Sequence, residues 1–144
     1  MNRIRKYRAL APEDRRILNQ AFLALVIAGA SLRLLPLRRM VHGLPPEVSP
    51  SSCTPAGHEN RTVERIGWAV RVAAGQIPWT VSCLPQAIAA KRLLRREGIV
   101  STLFFGVDRG EKGDLEAHAW LMTEDIDVVG GEARDRYTVV ASFS

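Results

Sequence analysis

Cys83 is the residue whose type and position best suit nucleophilic chemistry in this sequence. Ser82 is a favourable N-cap and Pro85 is tolerated in a first turn, so a helix is predicted to begin at the cysteine. Residues 87–97 are mostly strong helix formers, and Gly98 supplies a C-terminal stop. A thiol in the first turn lies beside unpaired backbone N–H groups and the positive end of the helix dipole, which favour the thiolate. The stretch therefore predicts an activated cysteine nucleophile.

His118 is the second candidate, because it lies in the strand-like run Glu116 to Trp120. A thiolate that attacks a carbonyl and an imidazolium that protonates the leaving group are the minimum parts of a thiol hydrolase or acyltransferase. The backbone N–H of Cys83 would stabilise the oxyanion. Each residue also has a structural interpretation, since a buried cysteine packs as a small apolar residue and a strand histidine commonly bonds a neighbour. Spacing alone leaves both interpretations open.

A third group should orient the imidazole, and two acids compete for this role. If strands pair across a reversal at 124–125, His118 lies opposite Gly131. Asp127 then shares the histidine face but lies roughly 13 Å away along the strand, at about 3.4 Å per residue. Glu132 is closer in register, just past the strand. We expect Asp127 to be the third catalytic residue, with Glu132 or a dyad without any acid as the alternatives.

Two tryptophans lie close to the candidate residues in the sequence. Trp79 precedes Cys83 within the same stretch, and its ring either walls the substrate site or packs in the core. Trp120 follows His118 by two positions, which places both side chains on one face of a strand. We expect Trp120 to be a core residue and keep Trp79 as a candidate substrate-binding residue.

The predicted elements are helices first and strands afterwards. A helix is predicted from Pro12 to about Leu35, and its middle, residues 21–28, is apolar on every face, which is typical of a helix that is buried or covered by another chain. Residues 42–60 are rich in Pro, Ser and Gly and predict a long loop, and residues 61–74 have the periodicity of an amphipathic helix. Extended segments are predicted at 99–105, 116–123, 126–129 and 137–143. Helices followed by an antiparallel sheet form an α+β architecture.

The net charge of +5 is concentrated near the amino terminus. Within residues 1–40 nine Lys or Arg face two acids, which leaves about +7 there and about −2 in the remainder. The sequence has neither zinc-finger spacing nor an aromatic-studded basic motif, so we expect no nucleic-acid partner. Its apolar run of about a dozen residues is shorter than the ~20 needed to span a bilayer. We expect residues 21–35 to contact a partner or a membrane surface.

The two cysteines, Cys53 and Cys83, are too few for a secreted disulfide scaffold. We therefore expect a cytoplasmic protein, with membrane association as an alternative. Cys53 and His58 lie in the predicted loop, where zinc binding would need two further ligands and only His42 is near. The glycines of the sequence fit no phosphate-binding fingerprint. We expect neither a metal nor a cofactor.

Several of these motifs follow one another in a fixed order. They are Ile77-Pro78-Trp79, Cys83-Leu84, the helix 87–98, the strand ending Phe105-Gly106-Val107, and Ala117-His118-Ala119-Trp120. This order resembles that of the lasso-peptide leader peptidases, over residues 68–143 and more loosely over 32–36. The resemblance implies a cysteine protease with a papain/transglutaminase-like core, which removes the leader from a ribosomally made precursor peptide.

The resemblance also implies an organisation and a set of partners. Residues 1–60 would form a basic amino-terminal helix and a loop, and residues 61–144 the catalytic core, with Cys83 as nucleophile and His118 as general base and acid. The related enzymes usually carry an aspartate about a dozen positions after the histidine, and this sequence departs from that pattern with Gly130. The implied partners are the precursor peptide, a separate leader-recognition protein and an ATP-dependent lasso cyclase.

Two other functions are compatible with the same residues. A transglutaminase-like domain whose Cys83 and His118 have lost their roles would be a non-catalytic module that binds a peptide or protein. An acyltransferase would pass the acyl group from the thiol to an amine instead of water.

Overall fold

The computed structural model describes residues 3–34, 56–110, 113–124 and 126–144. The helices are α1 (Arg3–Ala9), α2 (Pro12–Leu34), α3 (Ala56–Ala74) and α4 (Cys83–Arg96), and a 3-10 helix spans Gly131–Arg136. The strands are β1 (Thr102–Arg109), β2 (Leu115–Thr123), β3 (Ile126–Val129) and β4 (Thr138–Phe143). Helices followed by a four-stranded antiparallel sheet confirm the predicted α+β architecture.

The predicted loop over residues 42–60 was wrong in its last part, because α3 begins at Ala56. The polar residues of this first turn hide the amphipathic pattern, while Glu59 favours a helix start by complementing the dipole. Cys53 and His42, weighed above as zinc ligands, lie outside the described residues, as does the side chain of His58.

α2 packs against α3 and α4 through one face. Its buried residues are Leu18, Ala21, Ala24, Leu25 and Ala28. Three of these are alanines, so the neighbouring helices approach closely at this seam. Arg65 of α3 pairs with Asp14 at 2.6 Å and with Glu13 at 3.1 Å, and the bond to Asp14 raises the pKa of the guanidinium. The prediction of a buried helix is therefore correct for one face of α2.

The two faces of the sheet have different neighbours. The strand order is β3-β2-β1-β4, and Leu103, Ala119 and Leu121 belong to the hydrophobic core formed with the helices. We call this the inner face. Because side chains alternate along a strand, Phe104 and Trp120 point the other way, where their rings stack with centroids 5.6 Å apart. We call this the outer face.

The β2–β3 hairpin begins in the predicted register, with Met122 opposite Asp127. A bulge then shifts the pairing so that Leu121 lies opposite Val129, and β3 ends there. The extrapolated pairing of His118 with Gly131 was therefore wrong, because one extra residue enters β3 before the strand reaches that level.

Beyond β3 the chain passes through Gly130 and the 3-10 helix to β4, which pairs with the far side of β1. Along this path Arg134 contacts the sulfur of Met122 at 3.4 Å, and Arg136 pairs with Asp108 and Glu116. These partners lie on outer-face positions of β1 and β2. The 3-10 helix thus covers part of the outer face while the helices cover the inner one.

Candidate functional site

Cys83 is the first residue of α4, as the sequence predicted. Ser82 has the extended N-cap conformation, with φ −67° and ψ 172°, and its hydroxyl makes no capping hydrogen bond. The serine therefore does not occupy the backbone N–H groups of the first turn, which remain oriented towards a ligand at the helix start. Cys83 is a free thiol that is half-buried and packs against the inner core.

His118 lies on the outer face of β2 in a stack of rings. Its ring centroid is 5.0 Å from that of Tyr137 and 6.0 Å from that of Trp120. His118 Nε2 is 2.7 Å from the carbonyl oxygen of Gly130. A carbonyl accepts hydrogen bonds and cannot donate them, so Nε2 carries a proton and the neutral ring has its lone pair on Nδ1. The ring is therefore fixed in one tautomer by the main chain.

The backbone conformation and the close packing at residue 130 favour glycine. Its φ of +78° lies in the left-handed region, and a Cβ added there would be 2.8 Å from the carbonyl oxygen of Ala119. A side chain at residue 130 would thus meet both backbone strain and a steric clash. The carbonyl of Gly130 orients the imidazole, a role that commonly belongs to a carboxylate.

Asp127 is paired with an arginine in this structure. Its Oδ1 accepts a hydrogen bond from Arg134 Nη1 at 2.9 Å, and both side chains are 39% exposed. The carboxyl group also covers Gly131, where an added Cβ would lie 2.2 Å from Asp127 Cγ. The described residues show no hydrogen bond from His118 to Asp127 or to Glu132, whose side chain is exposed. Asp127 and Glu132 therefore stay predictions as the third catalytic residue.

The structure does not bring the side chains of Cys83 and His118 together. The thiol packs against the core of the inner face, while the imidazole contacts the aromatic residues of the outer face. Within the described ranges no hydrogen bond joins the two. A short connection from α4 to β1 makes the two elements run in opposite directions, so Cys83 lies towards the end of the sheet where Gly106 pairs with His118. The pair occupies one end of the sheet but opposite faces.

Comparison with protein families identifies the fold. The model of the transglutaminase-like superfamily matches residues 8–142, which is nearly the whole chain. The chain belongs to the transglutaminase-like superfamily. Comparison with curated proteins gives no match, and comparison with solved structures gives none either.

The family match extends over both predicted divisions of this transglutaminase-like chain. α2 shares one hydrophobic core with α3, α4 and the inner face of the sheet. Helix α3 runs continuously through residue 60, where the sequence analysis placed a boundary. The division into an amino-terminal part and a catalytic core stays a prediction.

Trp79 is half-exposed, at 50%, in the turn that precedes α4. The interpretation of Trp79 as a core residue is therefore wrong. Its contact with a substrate at the start of the helix stays a prediction. Trp120 is 3% exposed and shares the face of His118, which confirms its prediction as a buried residue. The two tryptophans thus differ in exposure, with Trp79 half-exposed and Trp120 buried.

A groove of about 350 Å³ opens on the outer face beside the His118 ring stack. It is lined by Phe104, Trp120, Met122, Arg134, Asp135, Tyr137 and Val139. Its walls are mostly aromatic and aliphatic, and its charges are paired, since Arg134 contacts Asp127 and lies 3.8 Å from Asp135. Across the described parts of the chain no group of three or more His, Cys, Asp or Glu residues could hold a metal ion.

The carbonyl of Gly130 was not predicted as the partner of His118. A main-chain acceptor has no signature of its own, but a glycine at the place of the usual aspartate was a signal that a backbone group replaces a carboxylate. Arg134, which pairs with Asp127, was not predicted either. The signal that could have found it is a basic residue seven positions after the candidate acid, which can compete for that carboxylate.

Proposed function

We propose that this transglutaminase-like protein is a cysteine peptidase that removes the leader from a lasso-peptide precursor. The observation that carries the proposal is a free thiol at the first residue of α4 in a chain of this superfamily. The motif order of the sequence supports the narrower choice of a leader peptidase. The partners proposed are the precursor peptide, a separate leader-recognition protein and an ATP-dependent cyclase.

Each group has a defined role in the proposed reaction. The Cys83 thiolate attacks the scissile carbonyl, and the backbone N–H groups at the start of α4 stabilise the oxyanion. His118, protonated on both nitrogens, donates one ring proton to the leaving amine, and the same nitrogen then takes a proton from the water that hydrolyses the thioester. Before the precursor binds, the carbonyl of Gly130 holds the proton on Nε2 and leaves the lone pair of the neutral ring on Nδ1.

Catalysis requires His118 to turn to the inner face. Residues 115–118 of β2 pair with β1. Among the described residues β3 pairs only with residues 121–123 of β2, so residues 115–118 have a paired strand on one side only. A bulge of one residue before Ala119 would redirect the His118 side chain to the other face, as bulges next to active sites do. The proposal therefore includes a change in the pairing of this half of β2 when a precursor binds.

Precursor cleavage with matched variants tests the proposal. We expect Cys83→Ala and His118→Ala each to lower the cleavage rate by at least about 10³-fold in the presence of the leader-recognition protein. Cys53→Ala is the control and should cut at the wild-type rate. If Cys83→Ala and His118→Ala still cut the precursor, the assignment of the site is wrong.

The opposite placement of Cys83 and His118 favours a second candidate, a non-catalytic module that binds a peptide or protein. Alkylation by iodoacetamide at neutral pH distinguishes the two candidates. A peptidase should show Cys83 reacting clearly faster than Cys53, whereas equal rates argue for the binding module. If an added amine appears in the product mass, the protein is instead an acyltransferase.

A further inference from the structure

One face of α2 is apolar and uncovered by the other described elements. Its large exposed side chains are Phe22, Leu23, Ile27 and Leu34, with exposed fractions of 43%, 59%, 43% and 81%, and Ala30 lies among them. At 100° per residue these five fall on one arc of about 140°. The arc is opposite the alanine seam that faces α3 and α4. We call these five residues the α2 stripe.

Arginines lie at both ends of the α2 stripe. Arg16 and Arg33 are exposed and fall on the same arc, about 26 Å apart at 1.5 Å per residue. The acids of α2 point elsewhere, since Glu13 and Asp14 both pair with Arg65 of α3. The exposed face of α2 thus combines bulky apolar side chains with cations and has no acid.

α1 adds further positive charge beside the start of the stripe. The hydroxyl of Tyr7 donates to Asn19 Oδ1 at 2.9 Å, which holds α1 against the exposed side of α2. Lys6 and Arg8 form the basic last turn of α1. The positive charge predicted for the amino-terminal segment is therefore placed next to the apolar residues.

Two other occupants of the stripe fit less well. Contrary to the estimate from the sequence, α2 is long and apolar enough to cross a membrane by length and composition, but Ala21 and Leu25 are 0% and 2% exposed within the protein core. A second copy in antiparallel contact would set Arg16 of one chain against Arg33 of the other, and parallel contact would set each arginine against itself. Like charges at both ends of the contact disfavour such a dimer.

We propose that the α2 stripe docks the protein on an anionic membrane surface, with α2 lying in the plane of the interface. The apolar side chains would enter the acyl boundary while Arg16 and Arg33 contact lipid phosphates, the arrangement of interfacial amphipathic helices. A convex helix face with half-exposed apolar side chains and one sign of charge suits a lipid surface better than a protein groove. This proposal does not depend on the peptidase activity.

Vesicle sedimentation with the full chain tests it. We expect binding to phosphatidylcholine vesicles that contain about one third phosphatidylglycerol, and binding at least about tenfold weaker to phosphatidylcholine alone. Addition of about 0.5 M salt should weaken the electrostatic attraction to the anionic vesicles. Leu23→Glu should lower the partition coefficient by about tenfold or more, and Arg16→Glu by at least about fivefold.

Val140→Glu is the matched control. Val140 is 60% exposed on β4, against 59% for Leu23, so both variants replace an equally exposed aliphatic residue by the same charge. Val140→Glu should bind vesicles like the wild type, and circular dichroism should show that both variants are folded. Equal loss in the two variants overturns the assignment to α2. Absence of wild-type binding, or self-association that Leu23→Glu abolishes, overturns the membrane proposal in favour of a protein occupant.

Discussion

The two faces of the sheet are held by different forces. The inner face is packed against α3 and α4, and Leu103 and Leu121 there are fully buried. The outer face is covered by the 3-10 helix through half-exposed ion pairs of Arg134 and Arg136, and by Tyr137, which follows the helix and stacks on His118. Burial of aliphatic side chains contributes more stability than ion pairs at the surface. The inner face therefore fixes the position of Cys83, and the outer face holds His118 in an arrangement that costs less to change.

The largest effect is expected when adjacent residues of β2 that point to opposite faces of the sheet are each replaced by alanine. Leu121→Ala should lower the free energy of unfolding by about 3 kcal/mol, because it opens a cavity in the core. Met122→Ala removes a half-buried side chain from the outer face and should cost about 1 kcal/mol. Urea unfolding followed by circular dichroism measures both. Equal losses would show that the outer face is as rigidly packed as the inner one.

The start of α4 and the first hairpin pairs were predictable from sequence because local residue types decide them. Ser82 and Gly98 marked the ends of the helix, and a tight reversal fixed Met122 opposite Asp127. The bulge that follows could not be predicted, since Val128 has the same residue type as its neighbour and nothing marks it as extra.

The face of the sheet that the helices cover could not be predicted from the sequence, for a related reason. Ala119, Trp120 and Leu121 are consecutive and all buried, so the alternation that would separate an inner from an outer face is lost. Periodicity correctly placed His118 and Trp120 on one face. It could not show that the helix carrying Cys83 lies on the other, because that depends on packing across distant segments.

A pair of glycine variants tests the turn that holds His118. Gly130→Ala should destabilise the protein by about 2 kcal/mol, since it adds a Cβ at φ +78° and 2.8 Å from the carbonyl oxygen of Ala119. Gly113→Ala is the control, because its φ is +79° and nothing lies within 4 Å of an added Cβ. This control should cost about 1 kcal/mol from backbone conformation alone. Thermal unfolding compares them, and equal losses would contradict the close approach of Gly130 to β2.

The smallest expected effect concerns the acids near the imidazole. Asp127→Asn breaks a half-exposed ion pair with Arg134 and should cost only about 0.5 kcal/mol. Because the carbonyl of Gly130 orients the ring, nitrogen-15 NMR should find neutral His118 protonated on Nε2 in the wild type, in Asp127→Asn and in Glu132→Gln. His118→Gln identifies the signal among the three histidines. A change of tautomer in Asp127→Asn, but not in Glu132→Gln, would return the orienting role to Asp127. It would also mean that a carboxylate, rather than the main chain, holds the ring of the outer face in place.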